Sequence, residues 1–498
     1  MKQINPLINV TSFTRNTELF IKIVFFILLI VLMISQNTQH MADRMFWLNE
    51  VTTYRTAILP FWQIPLDAAV TSYQMQPPLF YWLGHLASLV GTDPITLRSV
   101  SVACYILMVG FIIFLMRELQ IATRIILSLF LILLPFAEFA TTEFRPYALS
   151  AFTILVSSVF LYRLLINPSN WWQSLLYGFS ALTLQYSLTL NSFVFGVQML
   201  FITSCLLVSF GKLGISESLR KYKPVIIIST LLFSQYIIFL YLVASNQPYY
   251  QIGSLVEYFE HLGSNSKVLF NSLFIYSWAI FVIFGLFISG CVFGLVFKPW
   301  VTLYLLLILA GQLIFSTYVT YASISWFSQR YLVASYVVFS LICALGAEVY
   351  FRRLGDRKSV ILAILLMLWP MYSGINGYLQ SRDNPMFNPS TAVIEKLRCN
   401  KHKTVVLGAP KFIGKVPWYA YRNDHSIIVP WLNNNINEVI SNAAMQKHCI
   451  ILQEIESHRL FNDDLFGKLS ALSDYTKKRY STSPGRHVPD SAWLFVPN

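Results

Sequence analysis

Residues 142–165 read TEFRPYALSAFTILVSSVFLYRLL. The run opens with an acid and a base, Glu143 and Arg145, and continues as an almost wholly apolar segment. About 20 apolar residues cross a bilayer as a helix, and an ionisable side chain at the mouth of such a helix is costly unless it faces water or a partner. The stretch predicts a membrane span with a functional site at its start. The competing interpretation is an ion pair or cap that only stabilises the helix.

The whole chain has the composition of a membrane protein. Hydrophobic residues make up 56% of its 498 residues and charged residues 12%, whereas soluble domains carry about 25% charged residues. We expect a multi-spanning α-helical membrane protein with about eleven spans. The predicted spans are 21–35, 97–116, 125–140, 146–165, 172–188, 192–210, 224–243, 268–296, 301–321, 331–350 and 360–378. No small-residue cleavage site follows the first, so it is expected to be a retained anchor.

The distribution of basic residues predicts the orientation. Lys and Arg concentrate in one set of loops, for example Lys212, Arg220, Lys221 and Lys223. Such loops are cytoplasmic in multi-spanning proteins. The net charge of +13 therefore reflects topology and a basic tail, and gives no support to nucleic-acid binding. We expect a multi-pass protein of the bacterial inner (plasma) membrane.

Three regions are predicted on the outer side. They are a first loop at 36–93, a second loop at 245–267, and a water-soluble tail at 380–498 that follows a transmembrane domain at 1–379. The tail alternates short β-type runs (404–407, 426–429, 449–452, 493–496) with helical patterns (391–397, 436–445), which is typical of a small α/β layer. An odd span count places it in an oxidising space, where Cys399 and Cys449 are candidates for a disulfide.

The candidate catalytic residues are acids and arginines of the outer side. Glu50 follows the first span, and Glu143 precedes another. A carboxylate beside an acceptor hydroxyl can act as general base, while Arg145 and Arg330 are suited to binding phosphate oxygens in a bidentate manner. The alternatives are a solvated interfacial carboxylate for Glu50 and snorkelling for Arg330. No cluster has metal-site spacing, so no obligatory metal is expected, although a divalent ion is not excluded.

Several motifs in this order resemble a known family. An acid after the first span, Pro-Pro-Leu-Phe-Tyr-Trp at 77–82, Arg98-Ser99, and Glu-Phe-Arg-Pro-Tyr-Ala-Leu at 143–149 are similar to the polyprenyl-phosphate-sugar glycosyltransferases of the GT-C superfamily. That group includes the protein O-mannosyltransferases and lipid A aminoarabinose transferase. The resemblance covers roughly the first 170 residues, and Gln-Arg-Tyr-Leu at 329–332 is similar to a later Arg-Tyr motif of the group.

The resemblance implies helices around an outward-facing cavity. It also implies inverting transfer of one sugar from a polyprenyl-phosphate donor to a lipid, glycan or protein acceptor. The first-loop acid would be the base, and the donor phosphate would be bound near Glu143. The expected donor-binding residues are Arg145, Tyr147, Arg330 and Tyr331, and the expected cavity residues are Asn49, Gln76, Pro77, Pro78 and Tyr81.

One departure from the family pattern concerns the base. Members commonly have Asp-Glu where this chain has Asn49-Glu50, and the Asp is the expected base. Asn cannot accept a proton, so Glu50 substitutes for it, or Glu143 takes over, or the protein is weakly active or inactive. We favour Glu50.

Two other functional classes remain open from the sequence. An O-antigen ligase or polymerase would use similar lipid-linked donors but would more naturally concentrate its arginines in a late outer loop. A secondary transporter would show mid-span charges and internal repeats with broken helices, and neither is recognisable here.

Overall fold

The computed structural model describes residues 15–37, 48–68, 76–134, 136–245, 255–273, 280–322, 329–366, 404–408, 427–430, 436–446, 449–454, 469–470, 472, 475–481 and 491–497. The chain divides into two compact units. The first comprises Met1–Gln39 and Thr56–Arg382, and the second comprises His40–Arg55 and Asp383–Asn498. The segment 40–55, which includes Glu50, is thus grouped with the tail.

In the described residues up to 366, all regular secondary structure is helical. The helices are α1 Arg15–Asn37, α2 Leu48–Ala57, α3 Ile64–Leu66, α4 Leu79–Ser88, α5 Pro94–Gly110, α6 Ile121–Leu133, α7 Phe136–Thr142, α8 Tyr147–Ile166, α9 Trp171–Ser187, α10 Asn191–Leu213, α11 Ile215–Ser245, α12 Leu255–Leu273, α13 Ile280–Phe297, α14 Pro299–Ala322 and α15 Val333–Leu354. A π-helical turn at Phe111–Leu115 extends α5, and a 3₁₀ turn at Gln329–Leu332 leads into α15. Residues 356–366 are also helical.

Six helices of the described chain are long and apolar enough to cross a membrane. They are Asn16–Ser35, Pro94–Leu115, Tyr147–Ile166, Asn191–Leu213, Pro299–Tyr321 and Arg330–Leu354. Ile121–Leu133 and Phe281–Phe297 are apolar but shorter. The prediction of a helical membrane protein is confirmed at this level, whereas the count of about eleven spans stays a prediction. The last predicted span, 360–378, lies partly outside the described residues.

The prediction of one continuous span at 125–140 is wrong. α6 ends at Leu133, and α7 begins at Phe136. Between them Leu134 has extended backbone, with φ −63° and ψ 142°. Leu134 precedes Pro135 in the sequence, and a proline ring clashes with a preceding residue in the α conformation. This break frees α7 to approach the start of α8.

Much of the second predicted outer loop is helical. Residues 255–267 belong to α12, and their position on the outer side stays a prediction. Asn265, Leu269 and Leu273 are buried on one face of this helix, while Glu257 and Glu260 are exposed on the other. Spacings of four residues between buried positions are those of an amphipathic helix.

The packing of α13 against α15 depends on two glycines. A Cβ atom on Gly290 would lie 2.0 Å from the Ile342 carbonyl oxygen, and one on Gly346 would lie 2.0 Å from the Leu286 carbonyl oxygen. Small residues let membrane helices approach backbone to backbone. α15 is buried along most of its length, and Tyr336 stacks on Phe136 of α7 with ring centroids 5.3 Å apart. The start of α15 is thereby fixed beside α7.

The second unit contains a five-stranded mixed sheet. Its strands are β1 Thr404–Gly408, β2 Ile427–Pro430, β3 Cys449–Glu454, β4 Tyr475–Ser481 and β5 Ser491–Pro497, in the order β2-β1-β3-β5-β4. β1 is parallel to β2 and β3, whereas β5 is antiparallel to β3 and β4. Helix α16, Ile436–Met445, precedes β3. β4 was not predicted, because Lys477, Lys478 and Arg479 interrupt its apolar pattern.

The cysteines divide between the two units. Cys104, Cys205, Cys291 and Cys343 are free thiols in helices, whereas Cys449 is disulfide-bonded and buried at the start of β3. Cys399 and the helical pattern at 391–397 lie outside the described residues. Pairing of Cys399 with Cys449 stays a prediction.

Candidate functional site

The turn between α7 and α8 carries the first part of the site. α7 ends at Thr142, and Pro146 caps the start of α8, which suits proline because its fixed φ and missing N–H fit a helix start. The Arg145 amide donates to the Glu143 carbonyl across the turn at 2.8 Å. From α5, the Ser101 hydroxyl donates to the carbonyls of Glu143 (2.7 Å) and Arg145 (3.3 Å). The two side chains are therefore displayed by a turn that is fixed at its backbone.

The 3₁₀ turn before α15 carries the second part. It presents Arg330 and Tyr331. From α14, the Gln312 side-chain amide donates to the Tyr331 carbonyl at 2.9 Å, and the Ser316 hydroxyl donates to the same oxygen at 3.2 Å. Because both donors lie one helical turn apart on α14, they fix this turn much as Ser101 fixes the other.

An ion pair joins the two turns. An Arg330 guanidinium nitrogen lies 3.0 Å from a Glu143 carboxylate oxygen, with the side chains 23% and 2% exposed respectively. The Arg145 guanidinium hydrogen-bonds the Tyr147 hydroxyl and lies 5.6 Å from the centre of that ring. The Tyr331 hydroxyl is within the electrostatic influence of both guanidiniums and of Tyr147. The structure thus brings five of the predicted residues into one cluster, hereafter the Glu143 cluster.

The Glu143 cluster has more positive than negative charge. It contains the guanidiniums of Arg145 and Arg330 but a single carboxylate, that of Glu143, and both Arg145 and Glu143 are buried. Aromatic rings surround these groups: Arg330 lies over the Phe139 ring at 5.9 Å, and Phe139 meets Tyr147 edge to face. Electrostatic attraction is stronger away from bulk water. These three side chains together carry one excess positive charge, which suits an anion.

Of the predicted cavity residues of the first unit, Tyr81 lies near this cluster. Tyr81 is 2% exposed, packs with Ile64 and Ala68, and interacts electrostatically with Arg145. α4 begins directly after Pro77 and Pro78, so these prolines start a helix. Gln76 accepts a hydrogen bond from the Thr189 amide at 3.4 Å.

Glu50 and Asn49 lie in the first turn of α2, in the second unit. Glu50 is completely buried. The Asn49 side chain lies outside what the structure describes. The Glu143 cluster, in contrast, is built from the first unit alone. Arg98 of α5, part of the family pattern, is completely buried as well.

The residues that hold the two turns were not predicted from the sequence. Ser101, Gln312 and Ser316 are uncharged residues inside apolar helices, a setting in which serine and glutamine are common and uninformative. Helix α5, which carries Ser101, begins at the N-cap Asp93, whose carboxylate accepts hydrogen bonds from the Thr96 amide (3.0 Å) and hydroxyl (2.6 Å). The bond from the Thr96 hydroxyl, followed by that from its amide, lowers the pKa of Asp93.

No metal-binding group is recognisable in the described part of the chain: no three His, Cys, Asp or Glu residues there are arranged to hold an ion. A cavity of about 300 Å³ lies among α10, α11 and α14, and no residue of the Glu143 cluster lines it. The Glu143 cluster is therefore identified as the candidate site by the geometry of its charged and aromatic side chains.

Solved structures of three membrane enzymes have a similar fold. ArnT from Cupriavidus metallidurans, bound to undecaprenyl phosphate, matches with a TM-score of 0.54 and 10% identity over 96% of this chain and 98% of that chain. The oligosaccharyltransferase AglB from Archaeoglobus fulgidus, in complex with an inhibitory peptide and a dolichol-phosphate, matches with a TM-score of 0.50 and 11% identity over 96% of this chain and 74% of that chain. Arabinofuranosyltransferase AftD from Mycobacteria matches with a TM-score of 0.50 and 11% identity over 98% of this chain and 40% of that chain.

At these identities the comparisons establish the fold. The chain has the fold of the GT-C glycosyltransferases, as the motif resemblance implied. No protein-family model and no curated protein matches the sequence.

Proposed function

We propose that this protein is a membrane glycosyltransferase that moves one sugar from a polyprenyl-phosphate donor to an acceptor hydroxyl, with inversion at the anomeric carbon. The observation that carries the proposal is the Glu143 cluster. Two arginines from separate turns are placed beside one carboxylate and two tyrosines, within a GT-C fold.

The donor chemistry explains the need for two arginines. A polyprenyl-phosphate sugar is a phosphodiester with one negative charge, and the departing polyprenyl phosphate gains a second. Arg145 and Arg330 would therefore bind the leaving phosphate more strongly than the intact donor. Stabilising charge that develops during reaction lowers the barrier, and the planar guanidinium suits two phosphate oxygens at once.

The reaction also requires a base. The acceptor hydroxyl oxygen would attack the anomeric carbon and transfer its proton to a carboxylate, while the bond between that carbon and the phosphate oxygen breaks with its electron pair. We assign the base to Glu50 rather than Glu143. The Glu143 carboxylate is already engaged in an ion pair with Arg330 at 3.0 Å, so Glu143 is better suited to positioning Arg330.

The setting proposed for this reaction is the outer face of a bacterial inner membrane. The basic loops would be cytoplasmic, and the second unit would then lie outside. The similar ArnT structure is bound to undecaprenyl phosphate and the similar AglB structure to a dolichol-phosphate, which supports a polyprenyl-phosphate donor here. The acceptor would be a lipid, a glycan or a protein.

Transfer can be tested with isolated membranes that contain the overproduced protein. Radiolabelled polyprenyl-phosphate sugars would be supplied one at a time, and labelled acceptors identified by mass spectrometry. Membranes with Arg145→Ala provide the control for endogenous enzymes. Addition of one sugar supports the proposal. Transfer of whole glycans would indicate a ligase, and no transfer with any donor would contradict the assignment.

A further inference from the structure

The cavity of about 300 Å³ lies apart from the Glu143 cluster. It is lined by the end of α10, the start of α11 and the start of α14. Its apolar wall includes Phe201 and Val208, and its charged rim is formed by Lys212 and Lys221. Sites for small ligands begin at about this volume and combine apolar walls with a few polar groups.

The turn between α10 and α11 brings one lysine from each helix to the cavity. Gly214, with φ 81°, ends α10 in a conformation that few other residues adopt. The chain reverses there, and the hydroxyls of Ser209 and Ser218 hydrogen-bond across the two helices at 2.8 Å. Lys212 and Lys221 thus come from different helices but share one rim.

The cavity lies at the end of the membrane-spanning segments. One span ends at Leu213 and another begins at Pro299. Trp300, which lines the cavity, is 57% exposed, and tryptophan is enriched at the membrane–water interface. Lys298 lies beside Tyr162, near the end of α8 opposite to Tyr147. Since α8 has 20 residues, the two ends are roughly 30 Å apart.

We infer that this cavity binds an anionic glycerophospholipid. The ammonium groups of Lys212 and Lys221 would contact the lipid phosphate, and Phe201 and Val208 would contact the upper part of an acyl chain. Basic pockets between membrane helices favour anionic head groups. A zwitterionic head group carries its own cation and would gain less from two lysines. The site is independent of the glycosyltransferase assignment.

The test uses the full-length protein in detergent and native mass spectrometry. Phosphatidylglycerol and phosphatidylcholine with identical acyl chains serve as probes. The variant Lys212→Ala/Lys221→Ala is compared with Arg220→Ala/Lys223→Ala, which removes the same charge beside the cavity, where neither residue lines it. We expect the first pair to weaken retention of phosphatidylglycerol about tenfold and the second pair less than twofold.

Cys205, which also lines the cavity, gives a second readout that needs no substitution of the lysines. Phosphatidylglycerol should slow alkylation of the wild-type Cys205 thiol, and phosphatidylcholine should not. Equal retention of the two lipids, or equal effects of the two double variants, would overturn the inference. Alkylation at the same rate with either lipid would overturn it even if the cavity variant failed to fold.

Discussion

Glu143 has a structural task that limits its chemistry. Its carboxylate is 2% exposed and bonded to the Arg330 guanidinium at 3.0 Å. Removing such a carboxylate would alter the position of Arg330 as well as the charge of the cluster. An effect of Glu143→Gln on activity therefore cannot by itself identify a base, and the base has to be tested through residues 49 and 50.

Glu50→Gln should lower turnover about 10²- to 10⁴-fold, the usual contribution of a general base. Donor binding should be unchanged, because glutamine keeps the size and polarity of the side chain. The measurement is kcat and the donor KM under saturating acceptor, with Glu143→Gln assayed in parallel. Wild-type turnover in Glu50→Gln would exclude Glu50 as the base, whatever the effect of Glu143→Gln.

A double variant makes the test of Glu50 sharper. Asn49→Asp restores the Asp that members of the GT-C family commonly have next to the Glu. If the loss in Glu50→Gln is the loss of a proton acceptor, Asn49→Asp/Glu50→Gln should recover part of the turnover. A lack of recovery would point to a structural role for the buried Glu50, which a melting temperature lower than that of the wild type would reveal.

Arg145→Lys should raise the donor KM by at least tenfold, with a smaller change in kcat. An ammonium cannot reproduce the bidentate fork of a guanidinium on phosphate, and each lost interaction of this kind is worth on the order of 1.5–3 kcal/mol. The matched control is Arg163→Lys, which makes the same change where Arg163 pairs with Glu118. Equal donor affinity in both variants would remove Arg145 from the donor site.

At the scale of elements, uncharged polar residues join the helices. Gln198 of α10 donates to the Ser157 hydroxyl of α8 (3.0 Å) and the Tyr304 hydroxyl of α14 (3.2 Å), and it accepts from the Tyr177 hydroxyl of α9 (3.2 Å). One buried side chain thus connects four helices. Such bonds within membranes contribute about 0.6 kcal/mol each on average and up to about 1.7 kcal/mol.

Gln198→Leu should lower the melting temperature by several degrees without changing the donor KM. Three hydrogen bonds would be lost together, at about 2 kcal/mol in total, and Gln198 is distinct from the Glu143 cluster. Gln173→Leu, in the first turn of α9, is the control, since its side-chain oxygen has no hydrogen-bond partner among the described residues. A similar melting temperature in both variants would show that the network contributes little to stability.

Helices and strands could be predicted where a single physical cause, such as the length of an apolar run, determined the sequence pattern. The long apolar helices follow from length alone, as α8 and α10 show. The break at Leu134 was missed although Pro135 signalled it, because a purely apolar window does not register the backbone restriction before proline. α12 was missed because its first half, which carries Glu257, Glu260 and His261, is polar and was assigned to a loop.

At the scale of the whole molecule, the motifs predicted which residues matter but not how they meet. The Glu-Phe-Arg-Pro-Tyr and Gln-Arg-Tyr motifs are separated by more than 180 residues, yet the ion pair between Glu143 and Arg330 joins them. That pairing depends on the packing of α15 beside α7, through the stacked rings of Phe136 and Tyr336. Long-range packing of this kind has no local signature in one sequence.

The orientation of the molecule remains a prediction with a direct test. If the basic loops are cytoplasmic and the span count is odd, a tag before Met1 should report the cytoplasm and a tag after Asn498 the opposite side. Fusions to alkaline phosphatase, active only outside, and to green fluorescent protein, fluorescent in the cytoplasm, provide complementary readouts. The variant Lys212→Glu/Lys221→Glu should reduce the excess of basic residues in the loop between α10 and α11, while the tag before Met1 should still report the cytoplasm. If both tags report the same side, the span count is even; should that side be the cytoplasm, the second unit, with Glu50, would lie away from the outer face and the proposed base would be wrong.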